Sequence, residues 1–443
     1  MKQRQRTIFI LSVLLLAVGV VCARPAMAND AERIEKMERL IAEQQQQLES
    51  MQRQVDQLRQ AGRKRLDQVE QTAAETRREA EEAKSLAEEH KTEERGLPEP
   101  PAEAITSGQK RVKLAISGQV NRAVNVADDG KNTAAYFVDN DASNTRIRFV
   151  GTANATDDLT IGSRIELSLA PNESSRVNQD NEESGDFSDQ RWAEISLASK
   201  RFGKLSLGKG DTASNNTAEV DLSHTDVVQY ASIADIAGGM LFRQESNDSL
   251  TNVRVSDAFK DLDGLSRKTR VRYDTPTLYG FSLAGSLVSD QRYDASLWWG
   301  GQGLGFKTAA AAGVANINED NADYQYSGSF SLFHEATGLN FTFSGGTKDS
   351  DRQDDPYNLY WKLGWLANFF SSGHTAFGVD YTRSGNLPTE NDEGYSVGAA
   401  AVQQFDEFGT ELYLQYRLFS LDRDVEPDVQ DMNVGTIGAR VKF

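Results

Sequence analysis

Few residues could do covalent or metal chemistry. His90, His224, His334 and His374 are the only histidines. They stand far apart in sequence and lack metal-ligand spacing, so neither a metal nor a cofactor is expected. His224 with Asp221 and Ser223 is too thin a set to suggest hydrolysis or acyl transfer. The glycine-rich run 300–305 has no strand-to-helix transition and no following Lys-Ser/Thr, so it is not a phosphate loop. Together these point away from an enzyme. Charge offers more: 66 acids against 48 bases give a net charge of −18. Nucleic acid is then an unsuitable partner, because phosphate must be neutralised by bases. What charged side chains can do here is steer solutes, provided that a scaffold aims them into a confined space.

The chain falls into unlike parts. A basic start (Lys2, Arg4, Arg6), an apolar stretch from Ile8 and the small-residue site Ala26-Met27-Ala28 make residues 1–28 an export signal cleaved before Asn29. Cys22, the single cysteine, leaves with it, and the bulky Val21 before it disfavours a lipid anchor. Ile34, Met37, Ile41, Leu48, Met51, Val55 and Leu58 then keep a 3-4 spacing, with Gln44 as the polar member. Such a stripe is buried only against another like it, so 29–97 reads as an α-helical coiled coil, with a solvated helix or charged linker as the alternative for 62–95. Pro98, Pro100 and Pro101 end the helix and open a linker, 98–109, because proline lacks the amide donor.

From residue 110 the period becomes two. Leu159/Ile161/Ile165 alternate with Thr160/Arg164/Glu166, Phe281/Leu283/Leu287 with Ser282/Ala284/Ser286, and Leu412/Leu414/Tyr416 with Glu411/Tyr413/Gln415. Strands of about ten residues suit a bilayer crossing at a tilt. Short connections near 156–158, 201–203 and 406–409 alternate with long acidic ones at 171–189, 345–356, 384–393 and 420–431. The predicted fold for 110–443 is an all-β transmembrane barrel of about sixteen antiparallel strands. Tyr273, Tyr279, Phe281, Trp298, Trp299, Tyr324, Trp361 and Trp365 suit interfacial girdles. The competing reading is a soluble, secreted β-sandwich or lectin-like barrel, which also alternates.

The stretches Arg191-Trp192-Ala193-Glu194-Ile195-Ser196-Leu197 with Phe202-Gly203-Lys204-Leu205-Ser206-Leu207-Gly208-Lys209-Gly210, Arg272 to Phe281, and the terminal Phe443 resemble the general porin family of Gram-negative bacteria. That resemblance implies an outer-membrane, water-filled channel for passive diffusion of small hydrophilic solutes and ions. It also implies a homotrimer in contact with lipid and lipopolysaccharide, and a loop after the fifth strand that folds inward. The coiled coil would then lie in the periplasm. On this carry-over the inward loop spans 210 to about 239 and brings Glu219, Asp221, Asp226 and Asp235 to the constriction. Arg146, Arg148, Arg164, Arg270, Arg272 and Arg440 have lumen-facing parity and would form the opposing wall. The alternative for each arginine is a supporting salt bridge with Glu166, Glu194 or Asp274. An alternative function is an envelope tether whose coiled coil contacts peptidoglycan. Cleavage before Asn29 removes Cys22, so the exported protein should begin at Asn29 by mass spectrometry and take up no maleimide. Thiol labelling of the mature chain would show that the leader is retained.

Overall fold

The computed structural model describes residues 105–106, 112–185, 189–319, 322–352 and 354–443. The expected signal peptide, the coiled coil and most of the linker lie outside the described residues. The barrel has sixteen strands. β1 is Val112–Asp128, and β2 comes in two runs, Thr133–Asp139 and Arg146–Asn154, either side of a single 3-10 turn. Then come β3 (Leu159–Ser168), β4 (Asp189–Ser199), β5 (Gly203–Asp211), β6 (Arg267–Asp274), β7 (Phe281–Val288) and β8 (Tyr293–Gly303). β9 (Phe306–Glu319), β10 (Ala322–His334), β11 (Leu339–Ser350), β12 (Tyr357–Phe370), β13 (Gly373–Gly385), β14 (Glu393–Phe405), β15 (Thr410–Asp422) and β16 (Met432–Lys442) complete it.

Each strand pairs antiparallel with the next, and β16 returns to β1, with Val441 opposite Val120 and Ile437 opposite Val124. The amide and carbonyl of Phe443 exchange hydrogen bonds with Gly118 at 3.0 and 2.8 Å. A Cβ on Gly118 would come within 2.7 Å of the Phe443 ring, so glycine is required where the terminal aromatic seals the seam. Closure leaves no strand edge to seek partners in lipid. Where β1 runs on past the end of β16, Ile105–Thr106 of the linker pairs with Leu114 and Lys113.

Side-chain burial is the inverse of a soluble sandwich. Leu363 is 60% exposed while its neighbour Lys362 is 1% exposed, and Ile161, Ile165, Leu205, Leu207, Leu412 and Leu414 all face outward. Arg164, Glu166, Ser206, Ser329 and Gln415 are buried inside. This is the alternation of a membrane barrel, apolar out and polar in. On the outer face Trp361 lies against Phe343 and Tyr381 with ring centroids 5.7 and 5.9 Å apart, and Trp365 packs on Phe369 and Phe377. Trp298 departs from its girdle assignment: it faces inward and donates from Nε1 to Ser296 at 2.7 Å.

The connections alternate between tight turns and longer loops, but three of the long loops shrink to 351–356, 386–392 and 423–431. The strands continue as paired hairpins past bilayer length, as where Thr347 faces Tyr357. By contrast, the loop between β5 and β6 grows to 212–266 and turns into the lumen. There Val227, Val228, Ile233, Ile236, Phe242 and Phe259 form one apolar core with Val138, Ala376, Val402, Phe419, Leu421 and Val434 of the wall. Phe259 and Phe419 meet at 5.3 Å. Small wall residues admit the loop: a Cβ on Gly346 would lie 2.6 Å from the Asp261 carbonyl oxygen. Placing a charge on the lipid face should be costly. Leu363→Arg is predicted to destabilise the barrel by about 2–4 kcal/mol, read from urea unfolding in lipid vesicles, and a neutral result would contradict the outward assignment.

Candidate functional site

The wall of the site is laid out by the two-residue period. Arg146 and Arg148 on β2 and Arg164 on β3 point inward, as does Glu166, which is fully buried. Its carboxylate is held by Arg164 Nη2 at 2.6 Å, Arg148 Nε at 2.7 Å, Arg191 Nε at 2.9 Å and Arg146 Nη1 at 3.6 Å. Arg191 reaches this ring against its parity. Glu166 pairs with Trp192 but Leu167 pairs with Gln190, so Arg191 is the extra residue of a β-bulge, which re-aims a side chain. A fifth guanidinium, Arg267 at the start of β6, pairs with Asp211 at 3.2 Å. Arg164 and Arg267 both lie over the ring of buried Trp192, at 3.7 and 4.9 Å from its centroid, where the π face favours cations. Among the described residues these five guanidinium groups form ion pairs with two carboxylates, Glu166 and Asp211.

The opposing face belongs to loop 212–266. Its core fixes it against β12 to β16, β1 and β2, and leaves Glu219, Tyr230, Asp235, Asp261 and Asp263 half-buried along its free side. Asp263 accepts the backbone N–H of Ala218 at 2.7 Å and that of Asn216. Tyr230 donates its hydroxyl to Asp235. Glu219 lies close to Asp261 and Asp263. Arg267 lies within electrostatic reach of Glu219. Burial, reinforced by the acids' mutual repulsion, pushes the Asp235 carboxyl up to about 8 and raises Glu219 and Asp263 well above the usual carboxylate range. Burial also raises Asp261 and, together with nearby Asp141, lifts Glu173 in the 169–188 loop to about 7. Such shifts follow from removing charge from water.

Of the residues nominated from sequence, Arg146, Arg148 and Arg164 gather on Glu166, the supporting bridge weighed as their alternative, and Glu219 and Asp235 lie on the loop. The others are engaged elsewhere. Asp221 is claimed by the buried ammonium of Lys362, which also donates to Gln229 O at 2.8 Å and Thr225 Oγ1 at 3.0 Å. Asp226 is exposed, and the charge it acts on is Arg440. Arg440 itself bonds to Glu411 and Ser143 at 2.5 and 2.6 Å. Arg270 is buried against Glu194 at 2.6 Å and the carbonyls of Asp211 and Gly208. Arg272 binds Asp274 at 2.8 Å and the Thr212 carbonyl at 2.7 Å. Both therefore fasten the root of the loop, because carbonyls freed where β5 ends need donors. Ser223 Oγ bonds to Thr225 Oγ1 and its backbone N–H donates to Asp221, while the His224 ring lies edge-on to Phe333. Arg191, Arg267, Tyr230, Asp261 and Asp263 were not visible from sequence; the only signal for the last two is their position before the strand that resumes at Arg267.

A family model described as Gram-negative porin matches residues 100–435. Among solved structures, the chain resembles the anion-selective porin from Comamonas acidovorans, with a TM-score of 0.52 and 14% identity over 75% of this chain and 100% of that one. It also resembles a loop L8 deletion mutant of OmpT from Vibrio cholerae (0.50, 14%, 75% and 100%) and Salmonella typhi OmpF in complex with daunomycin (0.50, 13%, 75% and 98%). No curated protein matches the sequence.

The Lys362–Asp221 pair should hold the loop in place. Lys362→Met leaves a buried carboxylate without its cation, a loss of about 3–5 kcal/mol, and should loosen the loop. Unfolding midpoints and open-channel current noise would report it, and the double variant K362M/D221L should recover most of the loss. Equal stability of the single variant and wild type would show that the pair anchors nothing.

Proposed function

The chain belongs to the Gram-negative porin family and is an outer-membrane channel, and on that premise we propose that it lets small hydrophilic solutes and ions diffuse passively through each barrel. The observation that carries this reading is the docking of loop 212–266 on one half of the lumen, which brings Glu219 within electrostatic reach of Arg267 on β6, next to Arg164 and the other arginines gathered on Glu166. Charges of unlike character across a narrow gap order water, penalise apolar solutes and admit polar ones. No bond needs to be made or broken, so the site residues act as a filter. Their assignment as the constriction, Arg146, Arg148, Arg164, Glu219 and Asp235 with Arg191, Arg267, Asp261 and Asp263, is part of the proposal.

The assembly is a homotrimer in this reading, with lipid and lipopolysaccharide around it. In support, the outward surface of β16, β1 and β3 to β5 is aliphatic (Val120, Ile165, Leu197, Leu207, Ile437), whereas β8 and β10 to β15 carry Tyr293, Tyr326, Trp365, Tyr381, Tyr395 and Tyr416. A surface without outward Tyr or Trp suits contact with a second copy better than contact with headgroups. Arg122 pairs with Asp139 at 3.4 Å on the same sector, where lipid would penalise charge. Residues 1–28 act as the export signal and 29–97 as a periplasmic coiled coil that joins the three chains. The tethering alternative has no support from the comparisons. In planar bilayers the purified protein should insert with conductance steps in multiples of three. Electrical silence across salts and solutes would refute the channel.

A further inference from the structure

One indole stands among the cations of the wall. Trp192 on β4 is buried, and three guanidinium groups lie within reach of its ring: Arg164 at 3.7 Å from the centroid, Arg267 at 4.9 Å and Arg191 at 6.0 Å. The same three, with Arg146 and Arg148, form ion pairs with Glu166 and Asp211. They are also close enough to repel one another, since Arg146 lies within electrostatic reach of Arg191, Arg148 and Arg267. A further carboxylate would offset that repulsion but would also cancel the positive potential that a solute meets. An aromatic face attracts cations while carrying no net charge.

The chain around Trp192 is arranged to keep the ring in place. The bulge in β4 turns two successive residues, Arg191 and Trp192, away from the lipid. The indole then lies over Gly210 of β5, where a Cβ would come within 2.7 Å of its Cδ1 and Nε1 atoms, so the strand carries no side chain where the ring crosses it. Arg164 shows what the ring does to a guanidinium. Its cross-strand neighbour is Glu194, yet Glu194 is taken by Arg270 at 2.6 Å, and Arg164 lies over Trp192 with Nη2 on Glu166. Among the described residues its buried Nε has no hydrogen-bond acceptor, and the π face is what compensates that part of the group. Arg267 approaches the ring from the start of β6 and keeps 26% of its side chain exposed, within electrostatic reach of Glu219 on the loop.

We infer that Trp192 is the positioning residue of the constriction: its indole acts as an uncharged counter-ion that holds Arg164 and Arg267 together on the lumen wall, so that an aromatic ring sets the charge selectivity of the pore. This rests on the channel reading and adds to it the residue that governs ion preference. With the ring removed, Arg164 is free to turn to its cross-strand neighbour Glu194, and Arg267 to close on Asp211. Each move pairs a guanidinium more completely with a carboxylate and withdraws positive potential from the path of a solute. An aliphatic side chain at 192 fills space but leaves that withdrawal unopposed, whereas a smaller aromatic ring retains part of the attraction. Buried as it is, Trp192 acts through the arginines rather than on the solute.

The test is the reversal potential of the full-length channel in planar bilayers under a potassium chloride gradient. Relative to wild type, the chloride-to-potassium permeability ratio should fall about threefold in Trp192→Leu, the size of one exposed cation–π contact, and by less in Trp192→Phe. Singly and multiply fluorinated tryptophans, placed at 192 by nonsense suppression, nearly keep the shape of the ring while draining electrons from its face. The ratio should fall stepwise as fluorine is added, a dependence that a packing role does not have. A ratio indifferent to fluorination, a wild-type ratio in Trp192→Leu, or a loss in Trp192→Phe as large as that in Trp192→Leu would each overturn the inference while leaving the channel standing. If Trp192→Leu fails to fold, the fluorinated series decides alone. Absence of conductance in wild type would overturn the channel reading and this inference with it.

Discussion

A bilayer offers no hydrogen bonds, and every other feature of this chain answers to that. Amides and carbonyls must be paired within the protein, and sixteen strands manage it only if the last returns to the first. The bonds between Phe443 and Gly118 and the pairing of β16 with β1 complete that circuit. Once closed, the sheet has two faces of opposite chemistry, and the sequence must alternate to satisfy both. Leu363 beside Lys362 shows the consequence at single-residue resolution. The inward charges of the wall, Arg146, Arg148, Arg164 and Glu166, are thus positioned by the same periodicity that satisfies the lipid.

The lumen is not simply polar. Loop 212–266 brings a small apolar core of its own into the barrel and covers half of a wall whose side chains would otherwise face water. Polar anchors then fix its course: Lys362 on Asp221, Arg270 and Arg272 on the carbonyls where the loop departs, and the amides of Val220 and Leu222 on Ser329 and Ser331. Anchoring consumes acids and bases that sequence alone would assign to the pore. What that anchoring leaves is a ring of arginines around Glu166 on the wall and a run of acids on the loop.

Much of this was legible in the sequence, and the exceptions have physical causes. Period-two alternation gave Arg146, Arg148, Arg164 and Glu166 their inward direction, because strand geometry leaves a side chain two choices. It failed at Arg191, where one inserted residue in β4 reverses parity, and at Arg267, which reaches its partners from a strand end. For Arg270 and Arg272 parity was right but said nothing of depth, and the supporting bridges to Glu194 and Asp274 weighed as the alternative are the ones present. Asp261 and Asp263 escaped notice because the loop's return leg has no periodicity to mark it. The external loops were overestimated because a hairpin that outruns the bilayer loses its apolar alternation but keeps its backbone pairing. The prefix at 29–97 lies outside the described residues, so its heptads stand on the sequence alone.

The apolar core inside the barrel also constrains the order of assembly. Phe242, Phe259, Val227 and Ile236 would be a sticky surface on any intermediate in which the sheet is still open. The groups that receive them come from β13 to β16 as well as from β1 and β2, the two ends of the sheet. A finished cylinder would have to admit a folded loop of this size through its mouth. The loop is instead best viewed as a template that gathers the ends of the sheet around itself, so that sealing the seam and dressing the pore are one event.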